Sequence, residues 1–344
     1  MCFPVSFTFC SYLFTSLPLR SLEDLFIYLI ETEHQKLHCR LLLSPFIILI
    51  TTDCHRPYPQ PLGKKPAMSS DDPNLVSNDE QGELFGQLLT KVHTEEVLKK
   101  KHYIPISARG YGSRCAAGGV VQYGEFIESP IPNENAARRQ ALVLDCEMVG
   151  VSERRKELAF LVVVDLLTGD VLINNFVHPT NIVRDWFTRS SGITCASMKA
   201  AVKENLALRE WKAAREMLFE HMDSNTILVS HALHNDLNVL GVVHPTIIDT
   251  EILTANAVFR PLERPFRRTW SLKALANDLL GLKIQRGKRG HSALEDAMAT
   301  RQVLLHFIKS PLDLEAWADA LRSKEPPKPE EPVNKEPLKD PWLD

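Results

Sequence analysis

Several signals that would fix the class of this 344-residue chain at a glance are missing. Neither the basic n-region nor the small-residue cleavage site of a secretory signal is visible. The apolar run Leu41-Leu-Leu-Ser-Pro-Phe-Ile-Ile-Leu-Ile50 is well short of the ~20 residues a bilayer-spanning helix needs. Arg20, Glu23 and Asp24 break the apolar stretch before it. No internal repeat is apparent, which argues against a solenoid or propeller. Charge of one sign is also lacking: 40 Lys and Arg face 43 Asp and Glu, a net charge of -3. That balance excludes a basic nucleic-acid coat or an acidic solvating chain as a description of the whole. It leaves nucleic acid open as a substrate, because local charge decides contact. Cysteine is sparse beyond residue 67, where Cys115, Cys146 and Cys195 stand far apart, as in a reducing compartment.

What is present is unevenly distributed. The chain is 44% hydrophobic and 24% charged, a globular balance, and its length allows one to three domains. Residues 1–67 hold Cys2, Cys10, Cys39 and Cys54 and many bulky apolar residues without clean periodicity. The count alone would permit a local disulfide framework. At Met68 the sequence turns abruptly polar, Met68-Ser-Ser-Asp-Asp-Pro. We expect 1–67 to be dispensable, translated from an upstream start, with a membrane-associating leader as the rival reading. Residues 68–140 read as an extension with some helix, carried by residues 82–92 and continued from Glu95. The compact domain is expected over 141–310. A short helix and a Pro-rich, charged, disordered tail should occupy 311–344.

Within that domain, residues 141–148, 158–165 and 171–177 are dense apolar runs joined by short connections, which predicts an antiparallel meander. The period then changes. Residues 206–222 read as an amphipathic helix, 226–230 and 246–249 as buried strands, and 236–240, 271–280 and 292–308 as helices. A meander followed by alternation predicts an α/β fold: a mixed sheet flanked by helices.

The chemistry-bearing residues lie at the ends of these elements. Asp145 and Glu147 are two apart on a strand and share a face, while Leu142, Leu144, Cys146 and Met148 take the other. Adjacent carboxylates repel and lose solvation, a penalty that a divalent cation removes; oxygen-only ligands suit magnesium or manganese. The alternative is a strand that simply ends in water. Asp236 follows a buried strand, where it can be a ligand or a helix cap, and His231 and His234 beside it read as loop residues. Ser292-Ala-Leu-Glu295 fits a capping box, placing His291 on the preceding loop and Asp296 in the first helical turns. Helix-dipole stabilisation would explain Asp296 by itself, and solvent exposure would explain His291. That all five are incidental together is not credible.

Leu142-Val-Leu-Asp-Cys-Glu-Met-Val-Gly150, His234-Asn-Asp-Leu and His291-Ser-Ala-Leu-Glu-Asp-Ala297 resemble the three motifs of the DEDDh 3′-to-5′ exonucleases, and the Asp-Cys-Glu-Met form resembles the eukaryotic RNA exonuclease branch. Ser191-Gly-Ile-Thr194, His244-Pro-Thr-Ile-Ile-Asp-Thr250 and the start of the 271–280 helix support the likeness, which covers about residues 141–308. The resemblance implies an RNase H-like fold, two Mg2+ or Mn2+ ions held by Asp145, Glu147, Asp236 and Asp296, and His291 as general base. It implies hydrolysis of single-stranded RNA from the 3′ end to nucleoside 5′-monophosphates. A DNA-directed or dual-specificity exonuclease and a catalytically inactive binding scaffold are the alternatives. Three departures stand out: Ser230 where the family commonly has Gly, Asp185-Trp-Phe-Thr for Asp-Tyr-Asn-Thr, and Ala293-Leu294 for Ser-Val.

Charge within the domain fits such a substrate. Residues 141–309 contain 21 Lys and Arg against 19 Asp and Glu; with the four ligand acids set aside the remainder is +6. Basic residues cluster at 260–268, including Arg267 and Arg268, and at 286–289, with Arg286, Lys288 and Arg289 just before His291. Phosphate contact and a solvated loop are both open to them. Met148 and Phe187 are candidates to stack on or wedge against terminal bases, or are ordinary core residues. No membrane partner is expected. A nuclear location is expected, with the cytoplasm as the alternative, although Lys99-Lys-Lys101 is too short for a nuclear signal by itself. A chain beginning at Met68 is expected to fold and to hydrolyse oligonucleotides as the full chain does; loss of either in a side-by-side assay would contradict the reading of 1–67.

Overall fold

Residues 141–144 and 158–164 are apolar on both faces of their strands, and such strands must be covered on two sides. The computed structural model describes residues 38–43, 46–51, 76–105, 115–116, 118–152, 154–262, 268–286 and 290–324. The chain divides into two units, Met1–Gln60 and Pro61–Asp344. In the first, β1 (His38–Leu43) and β2 (Phe46–Thr51) pair as an antiparallel hairpin with Leu43 opposite Phe46, a regular element within the stretch read as aperiodic.

The second unit opens with α1 (Asn78–Leu89), α2 (Glu95–Lys100) and the short β3 (Ile127–Glu128). A long meander follows, β4 (Ala141–Ser152), β5 (Arg155–Asp165) and β6 (Val171–His178), with β5 antiparallel to both neighbours as predicted. Then come α3 (Thr188–Ser191), α4 (Cys195–Lys203), β7 (Ala207–Arg209) and α5 (Glu210–Phe219). Next are β8 (Ile227–Ser230), α6 (His234–Leu240), β9 (Val242–Val243), β10 (Ile247–Asp249) and α7 (Thr250–Phe259). The last described elements are α8 (Leu272–Leu280), α9 (Ala293–Lys309) and α10 (Pro311–Arg322). The main sheet runs β10-β8-β4-β5-β6-β7, with β8 parallel to β4, β10 parallel to β8, and β7 parallel to β6. This is the predicted mixed α/β sheet. No helix among the described residues is long and apolar enough to cross a membrane.

Strand alternation sorts the core into two layers. Leu142, Leu144, Leu161 and Val163 pack with Trp211 and Leu218 of α5 and Leu237 of α6. Ala141, Val143, Val162 and Val164 pack on the opposite side with Ala297, Leu304 and Ile308 of α9. Asp145 and Glu147 continue the second row, so β4 carries them toward the helix that holds Asp296.

Three sequence readings change. The helix expected from residue 206 starts at Glu210, because residues 207–209 pair with β6 and Glu210 itself is left-handed at φ 56°. The 195–203 helix was not foreseen; its capping box uses Ser197 in place of the usual Glu or Gln at the third helical position. The helix near residue 82 starts at Asn78, capped by Ser77 and Glu80. The tail beyond Lys324 lies outside the described residues.

Residues before 141 are built into this core. Leu84 and Leu88 of α1 belong to the α9 layer, and Leu98 and Tyr103 to the α5 layer. His93 adds a backbone hydrogen bond to Ile247 O at 2.9 Å, and the Tyr103 hydroxyl donates to the fully buried Asp249 at 2.6 Å. Leu88 is fully buried, so Leu88→Ala should lower unfolding free energy by about 2–5 kcal/mol in a denaturant titration. A loss under about 0.5 kcal/mol would show that α1 is not an integral layer.

Candidate functional site

The middle of β4, beside the irregularity in its pairing after Glu147, meets the amino end of α9. There the carboxylates of Asp145, Glu147 and Asp296 each place one oxygen within 4.8 Å of the others. Asp145 and Glu147 are half-buried and Asp296 is buried. Asp236, also buried, is not one of this trio, although its charge acts on Asp145 and both line one cleft. It lies in the first turn of α6, whose N-cap is Leu233, so the capping role considered for Asp236 is not the one it plays. Its Oδ2 instead accepts from Ser230 Oγ at 3.2 Å, and Cys146 also bonds to its carboxylate. A cleft of about 310 Å³ joins the two parts, lined by Asp145, Met148, Lys156, His231, Asp236 and Asn238 among others.

Crowding four acids here has an electrostatic consequence. Burial, then the charges of Asp236, Glu147 and Asp296, push the Asp145 carboxyl well above the usual carboxylate range. Burial with Asp296 and Asp236 raises Glu147 to about 8. Burial raises Asp236 to about 8 against the opposing hydrogen bonds from Ser230 and Cys146. Asp296 rises too, through burial, while Gln285 and His291 pull the other way. The donor set is oxygen-only and self-repelling, which fits a hard divalent cation.

His291 sits on the loop before α9 as predicted, its side chain 40% exposed, with Nδ1 3.6 Å from Asp296 Oδ2. Its amide donates to Ser190 O at 2.6 Å. That approach needs Gly290, at φ 88°, where a Cβ would come within 2.3 Å of Gly192 N. The predicted capping box is half formed. Ser292 Oγ accepts from Glu295 N, but the Glu295 carboxylate accepts from Gln285 N at 2.8 Å. Gln285 in turn donates Nε2 to both Asp296 oxygens, at 3.2 and 3.0 Å.

The candidate substrate contacts separate. Met148 lines the cleft. Phe187 adopts a left-handed backbone, φ 46°, and lies over Gly150, where a Cβ would come within 2.8 Å of its ring. Lys156 Nζ stands 5.7 Å from the Phe187 ring centroid and lines the cleft, a cation the basic clusters did not point to. Arg268 lies over the Trp270 ring at 4.9 Å and is not among the residues lining the cleft. Arg286 is exposed; Arg267, Lys288 and Arg289 lie outside the described residues.

Sequence reasoning also missed the support behind Asp236. Ala232 is left-handed at φ 63°, and its amide donates to Asp249 Oδ1 at 3.0 Å; the other Asp249 oxygen takes the Tyr103 hydroxyl. His231 and His234 are likewise not idle: His231 Nδ1 lies 3.0 Å from Thr250 Oγ1, and His234 opens α6 with its ring edge-on to Tyr103. Buried Asp beside a strand was visible in the sequence, but its partner 146 residues away was not.

Comparison with known proteins bears on this site. Residues 142–304 match the family model RNase_T, described as Exonuclease. The chain is 35% identical over 176 residues to RNA exonuclease 3 of Candida albicans, covering 51% of this chain and 40% of that protein. It is 36% identical over 186 residues to the apoptosis-enhancing nuclease of Rattus norvegicus, 52% of this chain and 53% of that one. It therefore spans about half the length of these curated relatives. The apo Pan2 pseudoubiquitin hydrolase-RNA exonuclease module of Saccharomyces cerevisiae aligns over 61% of this chain and 34% of its own, with 22% identity and a TM-score of 0.45.

The raised carboxyls make a signed prediction. The folded state favours their protonated forms, so their stabilising contribution is present below the ordinary values near 4 and is lost as pH rises through about 8. In chelator, the melting temperature should fall between pH 6 and pH 8.5, and Mg2+ should restore it more at the higher pH. A chelated protein equally stable across that range would contradict the crowding.

Proposed function

Because residues 142–304 match the Exonuclease family model, we propose that this stretch is a DEDDh-type exonuclease domain and that the protein is a metal-dependent 3′-to-5′ exoribonuclease that releases nucleoside 5′-monophosphates from single-stranded RNA. The observation that carries this reading is the trio Asp145, Glu147 and Asp296, with Asp236 and His291 at the edges of the same site. The trio would hold one cation, and Asp145 with Asp236 a second, Mg2+ or Mn2+ in each case. When bound, such ions supply a water of lowered pKa and neutralise charge on the attacking and leaving oxygens.

The chain's own groups do the rest. His291 keeps Nδ1 toward Asp296, which leaves Nε2 to take the proton from the attacking water. Histidine suits this task because its ordinary titration range spans neutral pH. Gln285 holds the Asp296 carboxylate in one orientation, and the Gly290 turn seats His291 against Ser190. Met148 and Phe187 offer apolar surface to the terminal bases, and Lys156 offers charge to a phosphate. The relatives named RNA exonuclease support RNA as the substrate. A nuclear location is part of the same proposal.

The test is degradation of matched 5′-end-labelled RNA and DNA oligomers, with Mg2+ and with chelator. The expected result is a ladder of RNA shortened from the 3′ end, abolished by chelator. Asp145→Ala should lower turnover about 10³-fold or more with circular dichroism unchanged, and His291→Ala by about 10²–10⁴-fold with cation binding kept. Equal attack on DNA would make the enzyme dual-specific. Silence on both substrates would replace the enzyme with a binding scaffold.

A further inference from the structure

The meander puts a second concavity at the same end of the sheet as the acids. Because β5 is antiparallel to both β4 and β6, the latter two run in the same direction, and both end at this edge. Beyond His178, the carboxyl end of β6, lies a groove of about 500 Å³ between the 179–186 segment and α4. Ile182, Trp186, Cys195, Lys199, Val202 and Lys203 line it, and no Asp or Glu is among its lining residues.

The groove is built. Glu157, fully buried, accepts four hydrogen bonds, from the amides and side chains of Thr180 and Asn181 at 2.6–3.1 Å, and so pins one wall. On the other wall, residues 195, 198, 199, 202 and 203 follow helical spacing along one face of α4, with Met198 buried beneath against Trp186. Ile182 is 78% and Val202 43% exposed. Lys199 and Lys203, one turn apart, are exposed and have no carboxylate partner among the described residues.

The groove is also continuous with the site. After Val183 the chain returns to β4, where the amides of Arg184 and Asp185 donate to Gly150 O at 2.8 and 3.0 Å and Gly150 N donates to Asp185 O at 2.7 Å. Trp186 comes next, then Phe187 over Gly150, then the Ser190 carbonyl that seats His291. One segment thus joins the groove to the histidine.

We infer that this groove is a track for the nucleotides upstream of the 3′ end, with bases against Trp186 and Ile182 and phosphates on Lys199 and Lys203. The inference rests on the RNA exonuclease reading above. An aromatic and apolar floor flanked by unpaired lysines is the surface a flexible polyanion needs, and it has no base-reading requirement. The track gives the enzyme a grip that grows with substrate length.

Three readings of the full chain test it. The double variant Lys199→Gln/Lys203→Gln, in an Asp145→Asn background, should bind a fluorescent 12-mer RNA about 25-fold more weakly at 0.1 M salt, with the log–log salt slope reduced by about 1.4. With Asp145 intact, the double variant should lose kcat/KM on the 12-mer while hydrolysing a dinucleotide at the wild-type rate. Alkylation of Cys195, followed by peptide mass spectrometry, should be slowed by the 12-mer and not by the dinucleotide. Unchanged 12-mer affinity and salt slope, in a protein that degrades RNA, would overturn the track and leave the exonuclease reading intact. If no oligomer is hydrolysed, that reading fails, and anisotropy with Cys195 protection still decides the groove.

Discussion

Everything in this molecule is arranged around the repulsion between carboxylates in the middle of one strand. Asp145 and Glu147 would separate or face water if the chain were free to let them. They cannot, because β4 is buried on both faces between α5 and α9, and the alternation that buries Val143 also aims both acids at Asp296. The result is a pocket of oxygen donors held at close range with their charge suppressed, Glu147 and Asp236 up to about 8. Hydrophobic packing supplies the energy that holds the acids in place, and a divalent cation is the partner whose charge and hardness relieve the crowding.

The remaining polar groups hold that pocket in shape. Asp249 spends its carboxylate on the amide of Ala232, the amide of Glu251 and the hydroxyl of Tyr103, which fixes the strained turn leading to Asp236. Gln285 spans Glu295 and Asp296, so the loop before His291 is tied to the helix that follows it. Glu157 organises the 179–181 segment on the far side of β4 and β5. Each is a buried or half-buried group with hydrogen-bond partners on neighbouring backbone and side chains, which makes it a positioning group.

How much of this was legible in the sequence follows from the range of the interactions. Alternation exposed β4 and the shared face of Asp145 and Glu147, and Ser292 marked the start of α9 and so placed His291 and Asp296. These are local signals, set within a few residues. Asp236 is a candidate on sequence, but its approach to Asp145 across 91 residues of chain is a tertiary fact. Tyr103, His93 and the core leucines of α1 were read as an extension because their partners lie more than a hundred residues on. β7 was lost inside an apparent helix because three residues carry no period, and only the left-handed Glu210 separates them from α5. Basic clusters at 260–268 and 286–289 drew attention by density, whereas the lysine that lines the cleft, Lys156, belongs to the shorter basic run 154–156 at the start of β5.

The fold crowds carboxyls with raised pKa values where a divalent cation would bind. Titration of the full chain with Mn2+ at pH 7, followed by calorimetry in buffers of differing ionisation enthalpy, counts the protons released on binding. Carboxyls held near 8 must release their protons to the buffer when the metal binds, so roughly one to two protons should leave. Binding without proton release would mean the acids are already ionised and uncrowded, and absence of binding would remove the metal centre altogether.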